Sequence, residues 1–182
     1  MQKFTKRFIV WAIVVLFILL IPLAMQFTNE VQWNEAIAYG VILLAIGGIY
    51  ELWQWLKKRN ITYRSAFIVG FMAAFFIGWV NGAVGIIGSE DNPANLLYGA
   101  VFIVGLIGSI ISRFKPLGMA RTLFVAALVQ LLIPVFALFI WPAQTSWGEA
   151  GVIGVFVFNS IFAILFIVSA MLFRCADKIE NR

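Results

Sequence analysis

Runs of about twenty apolar residues recur along this chain, and no other feature restricts its fold as strongly. They fall at 8–25, 36–56, 66–87, 96–113, 119–141 and 150–173. A helix rising about 1.5 Å per residue needs roughly 20 such residues to cross about 30 Å of hydrocarbon. Backbone in hydrocarbon must satisfy its own hydrogen bonds, so spans of this length are helices. The expected fold is all-α: one polytopic transmembrane domain over residues 1–182, a membrane helix bundle of six transmembrane helices. The composition agrees, with 63% hydrophobic and 12% charged residues, against about 25% charged in an ordinary soluble domain. The first run follows Lys3, Lys6 and Arg7, as the core of a secretory signal would. It is longer than the usual stretch of about 7–15 residues and no A-x-A-like site follows, so it reads as an uncleaved first span. The apolar part of the fourth run, Leu96 to Ile111, is the shortest, and Ser112 and Arg113 extend it to the interface.

Charge placement gives the direction. All thirteen Lys and Arg lie in alternate segments: before span one, between spans two and three (Lys57 to Arg64), between spans four and five (Arg113 to Arg121), and after span six (Arg174 to Arg182). The other loops hold Glu30, Glu35, Glu90, Asp91 and Glu149 and no base. Lys/Arg bias in short loops sets topology. Both termini are therefore expected in the cytoplasm and the outer face is expected to be acidic. The net charge of +5 reads as this insertion code, not as nucleic-acid affinity. Trp33, Trp141 and Trp147 mark the outer interface, and Trp11, Trp53 and Trp55 the inner one.

The chain has no histidine and one cysteine, Cys175. Histidine-ligated haem, His- or paired-Cys zinc sites, iron–sulfur clusters and Ser–His–Asp triads cannot be built from it. An intrachain disulfide is impossible. No catalytic residue, metal site or cofactor is expected, and a non-enzymatic protein is. Cys175 beside Arg174 reads as an idle thiol, or as one of lowered pKa.

A period of 57 residues is visible. Arg7, Arg64 and Arg121 each precede an inside-to-outside run, and "QWNEAIAYG" aligns with "SWGEAGVIG" at twice that period. Three helical hairpins inserted the same way, with pseudo-threefold symmetry about the membrane normal, would produce this. So would any six-helix protein with evenly spaced loops and tryptophans at its outer helix starts.

Four polar residues inside the spans are candidates for an intramembrane site: Glu51, Asn81, Gln130 and Asn159. Intramembrane ionisable groups are costly and tend to face cavities, so Glu51 is read either as a cation or proton site or as an interfacial carboxylate reaching water or Lys58, Arg64 or Arg113. Amides inside membrane bundles serve either as interhelical glue or as the lining of a polar path. Glu35, Glu90, Asp91 and Glu149 would form an acidic outer mouth that concentrates cations. Small-residue rows at Gly78/Gly82, Gly105/Ser109 and Gly108/Ser112 permit close helix approach, within the bundle or between subunits. Pro22 and Pro134 sit in the outer parts of spans one and five, where kinks are tolerated.

"GIIGSEDNPAN", Gly85 to Asn95, separates spans three and four. Asn92 followed by Pro93 is the pattern of a helix cap with proline at the first helical position. Gly85 and Gly88 let span three end. The Ser, Glu, Asp and Asn oxygens would also suit a hard cation, but the spacing is not that of a twelve-residue EF-hand loop.

"WVNGAVGIIGSEDNPANLLYG", with "IPLAMQFTNEVQW" before it and "GMARTLF" and "SAMLFR" after it, resembles a family of small bacterial integral membrane proteins of unknown function. The likeness covers most of the chain and is most specific from Asn81 to Tyr98, where members often carry Met in place of Leu97. It implies a bacterial cytoplasmic (inner) membrane and carries no activity over to any residue.

Two functional classes fit these residues. One is a non-enzymatic protein that handles an ion or small solute through a polar-lined bundle. The alternative is a structural or accessory subunit that packs against a membrane protein partner or a second copy through the small-residue faces of spans three and four. An enzyme acting on lipid fits least, given the absent histidine and sparse buried acids. The partners expected are the lipid bilayer and a homo-oligomer or membrane protein partner, with no nucleic acid.

Overall fold

The computed structural model describes residues 8–16, 33–140 and 147–181, with backbone only for 33–39 and 140. Every regular element among them is helical. The chain divides after Arg59 into two compact units.

The first unit contains α1 (8–16) and α2 (Trp33–Leu56). The helices meet at a glycine: a Cβ on Gly47 would lie 3.0 Å from the Trp11 ring. One turn further along α2, Trp11 Nε1 donates to Glu51 Oε1 at 3.1 Å.

The second unit contains α3 (Ile61–Ala83), a 3₁₀ segment (Pro93–Tyr98), α4 (Gly99–Ile111), α5 (Pro116–Ile140) and α6 (Gly151–Glu180). The spine is α6. Its buried positions Val155, Asn159, Phe162, Phe166, Ser169, Phe173 and Ala176 recur every three or four residues, the period that keeps side chains on one helical face. This stripe packs against α5 and α3, and α4 packs on α5. Alanines let the backbones close in: Ala66 and Ala73 on α3, Ala120, Ala126 and Ala137 on α5, and Ala163 and Ala170 on α6 are all buried. At the α3–α6 crossing, Ser169 Oγ donates to the carbonyl of Ala66 at 2.6 Å, and a Cβ on Gly70 would sit 2.8 Å from that hydroxyl.

Among the described residues, four helical stretches are long and apolar enough to cross a membrane: Ile61–Ala83, Pro93–Ile111, Pro116–Phe139 and Gly151–Glu180. Gly40–Leu56 is a shorter apolar helix. The apolar side chains around their circumference are exposed, Trp79, Leu106, Phe139 and Ile153 among them, as a bilayer-facing surface requires. Several boundaries differ from those read in the apolar pattern. α3 begins at Ile61, five residues before the run at 66–87, because Asn60 Oδ1 caps it by accepting from Tyr63 N–H at 2.7 Å. It stops at Ala83, since Gly85 takes φ +73°. The fourth span opens with 3₁₀ turns, α5 starts three residues early at Pro116, and α6 continues to Glu180. Of the first run only 8–16 is described, and Pro22, Arg7 and Trp141 lie outside the described residues.

The hairpins of this unit are not alike. α5 and α6 pack along their length, whereas α3 leans on α6 and α4 on α5. Simple repetition of one hairpin would give both the same packing. Two consecutive non-glycine residues in the left-handed region, Arg113 (φ 51°) and Phe114 (φ 57°), turn α4 into α5. Such conformations are uncommon outside glycine, and here the Tyr63 hydroxyl holds the turn by donating to the Phe114 carbonyl at 2.8 Å.

Candidate functional site

Three polar side chains meet in the interior of the second unit. Gln130 Nε2 on α5 donates to Asn159 Oδ1 on α6 at 2.8 Å. Asn159 Nδ2 donates to the Tyr98 hydroxyl, at the junction of the 3₁₀ segment and α4, at 2.9 Å. The same nitrogen donates to the Val155 carbonyl, one turn back on its own helix, at 2.8 Å. All three residues are 0% exposed. An amide presents two donors and up to two acceptor directions, and Asn159 has both ends engaged. Gln130 does not: its Oε1 is buried with no partner. Pro134, four residues on within α5, has no N–H to return to the Gln130 carbonyl. The network therefore ties α4, α5 and α6 together and leaves one side-chain acceptor, Gln130 Oε1, without a donor.

Asn81 joins a different cluster. Its Nδ2 donates to the Asn95 carbonyl at 3.2 Å, and its Oδ1 is buried and unpartnered. Asn95 organises the loop whose sequence reads as a helix cap at Asn92 and Pro93. Its Oδ1 accepts from the N–H groups of Ile86 at 3.1 Å and Ile87 at 2.9 Å. Its Nδ2 donates to the carbonyls of Ile87 at 3.3 Å and Ser89 at 2.7 Å. One buried side chain thus replaces the helical partners that the backbone loses when α3 ends, which is what buried backbone polar groups demand. The loop closes on it only because Gly85 (φ +73°) and Gly88 (φ +74°) supply left-handed turns. A Cβ on Gly85 would overlap the Ser89 carbonyl.

The cap expected at Asn92 and Pro93 is present. Asn92 Oδ1 accepts from Ala94 N–H at 3.0 Å, with Pro93 as the first helical residue, although it starts a 3₁₀ segment rather than an α-helix. Glu90, Asp91 and Glu149 are exposed, and their two loops meet where Gly148 lies against Gly88. Among the described residues no group of acids, cysteines or histidines is placed to hold a metal ion. The side chain of Glu35 lies outside the described residues. Glu51 belongs to the first unit, with Trp11 as a hydrogen-bond donor. The four intramembrane polar candidates are thus divided: Gln130 and Asn159 share one buried network, Asn81 serves the loop, and Glu51 lies in the other unit.

The small-residue rows of α4 divide as well. A Cβ on Gly108 would come within 2.5 Å of Thr122 on α5, and Ser112 lies directly against Gly118. That row is used inside the bundle. Gly105 has nothing within 4 Å of a Cβ position. Together with Ser109 it lines an apolar cleft of about 300 Å³ between α3 and α4, walled by Phe67, Phe71 and Leu106 and floored by Leu123 and Phe166. The Ser109 hydroxyl adds no polarity there, because it donates to the Gly105 carbonyl at 2.6 Å.

Asn95 and Tyr98 escaped selection from sequence alone. Both fall inside the motif that carries the family resemblance, and an asparagine three residues after a cap, just past two glycines, was the available signal. No family model, curated protein or solved structure matches the chain.

Proposed function

We propose that this chain is a non-enzymatic, multi-pass membrane protein that acts as an accessory or structural subunit. It packs against a transmembrane helix of a partner, or of a second copy, at the cleft between α3 and α4. The observation that carries this reading is the division of the α4 glycine rows. Gly108 and Ser112 are spent on α5, while Gly105 and Ser109 face an unfilled apolar cleft. Small residues on a lipid-facing helix let another backbone approach closely. The polar interior argues the same way, since its amides bond to one another and to the loop rather than lining a path.

A photo-crosslinking side chain at Phe71 or Leu106 is expected to give one discrete protein adduct in native membranes, and one at Ile153, on an exposed face of α6, is expected to give none. Gly105→Leu should remove the adduct without lowering the unfolding temperature. Gly108→Leu should destabilise the fold by about 1–3 kcal/mol, the usual range for overpacking. Lipid adducts alone, with a monodisperse monomer in mild detergent, would exclude the reading.

Handling of an ion or small solute is the second reading. It draws on the unpartnered Gln130 Oε1, a buried acceptor of the kind that binds a cation or a donor.

The proposal includes six spans in a bacterial inner membrane, both termini in the cytoplasm, as the motif resemblance and the charge bias imply. In the second unit, Arg64, Arg113, Lys115, Arg121, Arg174 and Lys178 all lie at one end, with Glu90, Asp91 and Glu149 at the other. Cys175 is exposed at the basic end. A membrane-impermeant maleimide should label it in inside-out vesicles and not in intact cells. Asp91→Cys in a Cys175→Ser background should show the reverse. Labelling of Cys175 in intact cells would invert the topology.

A further inference from the structure

Between α5 and α6, at the basic end of the second unit, two arginines face a common pocket of about 270 Å³. Arg121 comes from the second turn of α5 and Arg174 from the penultimate turns of α6. Leu117, Ala120 and Phe124 complete the lining. Neither guanidinium has an ion pair or hydrogen bond among the described residues, and both side chains are exposed. Arg121 is five residues from the start of α5 and Arg174 six from the end of α6, about 8–9 Å into each helix at 1.5 Å per residue. Two cations without an ion pair beside one pocket repel each other, and an anion between them would turn that repulsion into attraction.

We infer that this pocket is a binding site for the phosphodiester headgroup of an anionic membrane phospholipid, with Arg121 and Arg174 as its ligands. A guanidinium presents a planar fork of donors that matches phosphate oxygens. Basic pockets between transmembrane helices at the headgroup level are suited to anionic lipid. The rest of the lining decides between a lipid and a free phosphate. A dissolved anion gains nothing from Leu117 and Phe124, whereas the glycerol and first methylenes of a lipid do. Further toward the middle of the bilayer, Leu128, two turns beyond Arg121 on α5, and Met171, one turn before Arg174 on α6, are exposed apolar side chains over which acyl chains would lie. The site is separate from the α3–α4 cleft and does not depend on that cleft's role.

The test is native mass spectrometry of the full-length, delipidated protein, titrated with phosphatidylglycerol or with phosphatidylcholine of the same chains. Wild type is expected to retain phosphatidylglycerol in preference. Each of Arg121→Gln and Arg174→Gln should lower that preference about fivefold, and the double variant about thirtyfold, as expected for about 1 kcal/mol per cation near an anionic surface. Lys178→Gln, at the same end but outside the pocket, should leave it unchanged. Both arginines are exposed, so the single variants should fold, and an unchanged unfolding temperature without lipid will confirm it. Three results would overturn the inference: no preference for phosphatidylglycerol, an equal loss in Lys178→Gln (a diffuse charge effect), or displacement of the lipid by millimolar inorganic phosphate (a free-anion site).

Discussion

Asn95→Ala is expected to be the most damaging single substitution in the loop between α3 and α4, lowering stability by about 2–5 kcal/mol. The side chain makes four hydrogen bonds to backbone, and its removal strands the N–H groups of Ile86 and Ile87. Both residues are buried, Ile87 completely, so water does not take over without opening the loop. A buried donor left without an acceptor costs about 1–3 kcal/mol, and there are two. Asn95→Asp should be no rescue. It keeps both acceptor contacts but turns the second oxygen toward the carbonyls of Ile87 and Ser89, where the amide donates. Gly85→Ala should fail for a different reason, since it combines φ +73° with overlap onto the Ser89 carbonyl. By contrast Glu90→Gln and Asp91→Asn, exposed in the same loop, should move stability by less than about 0.5 kcal/mol. Denaturation of the purified protein in detergent ranks the four sites. An Asn95→Ala protein as stable as wild type would show that the clasp does not hold the loop.

Asn159→Leu is expected to cost about 2–3 kcal/mol alone and much less when Gln130 is also changed to Leu. The single change leaves Gln130 Nε2 buried without its acceptor and takes from the Tyr98 hydroxyl the donor it receives. The double change removes both amides, and with them the unpartnered Gln130 Oε1. Replacing both partners by apolar groups of similar shape is close to neutral where breaking one is not. Double-mutant cycles in a membrane bundle give about 0.6 kcal/mol per interhelical hydrogen bond on average. The coupling expected here is larger because Asn159 engages two helices and its own backbone at once. Unfolding of the four members of the cycle measures it, and strictly additive losses would show that the network is not a unit. The same proteins separate the two functional readings. If the amides only lock α4, α5 and α6 together, the stable double variant keeps its crosslink at the α3–α4 cleft. If Gln130 binds a cation or small donor, liposomes containing wild type show flux that the double variant lacks.

Much of this was legible in the residues. Twenty-residue apolar runs commit a chain to helices whatever it packs against, because hydrocarbon offers no other partner for the backbone. The Asn92–Pro93 pair identified a helix start because capping is local, set here by atoms two residues apart. The alternation of Lys and Arg with Glu and Asp is likewise a property of single loops, and in the second unit it appears as a basic end and an acidic end.

What only the tertiary structure decided is which polar and small residues find one another. Gln130 and Asn159 are 29 residues apart, and Tyr98 and Asn159 are 61 apart. No periodicity links them, since their meeting depends on how α4, α5 and α6 are rotated about their axes. The same rotation makes Gly108 a packing contact and leaves Gly105, less than one turn earlier, facing an open cleft, although the two rows read identically in sequence. It also brings Arg121 and Arg174 to one pocket from opposite ends of their helices. Hydrophobic length and local capping are additive along a chain and can be read from it. Rotational register is fixed by the combined fit of all the helices, and it is register that sorts equivalent-looking residues into the locked interior, the open cleft and the lipid face.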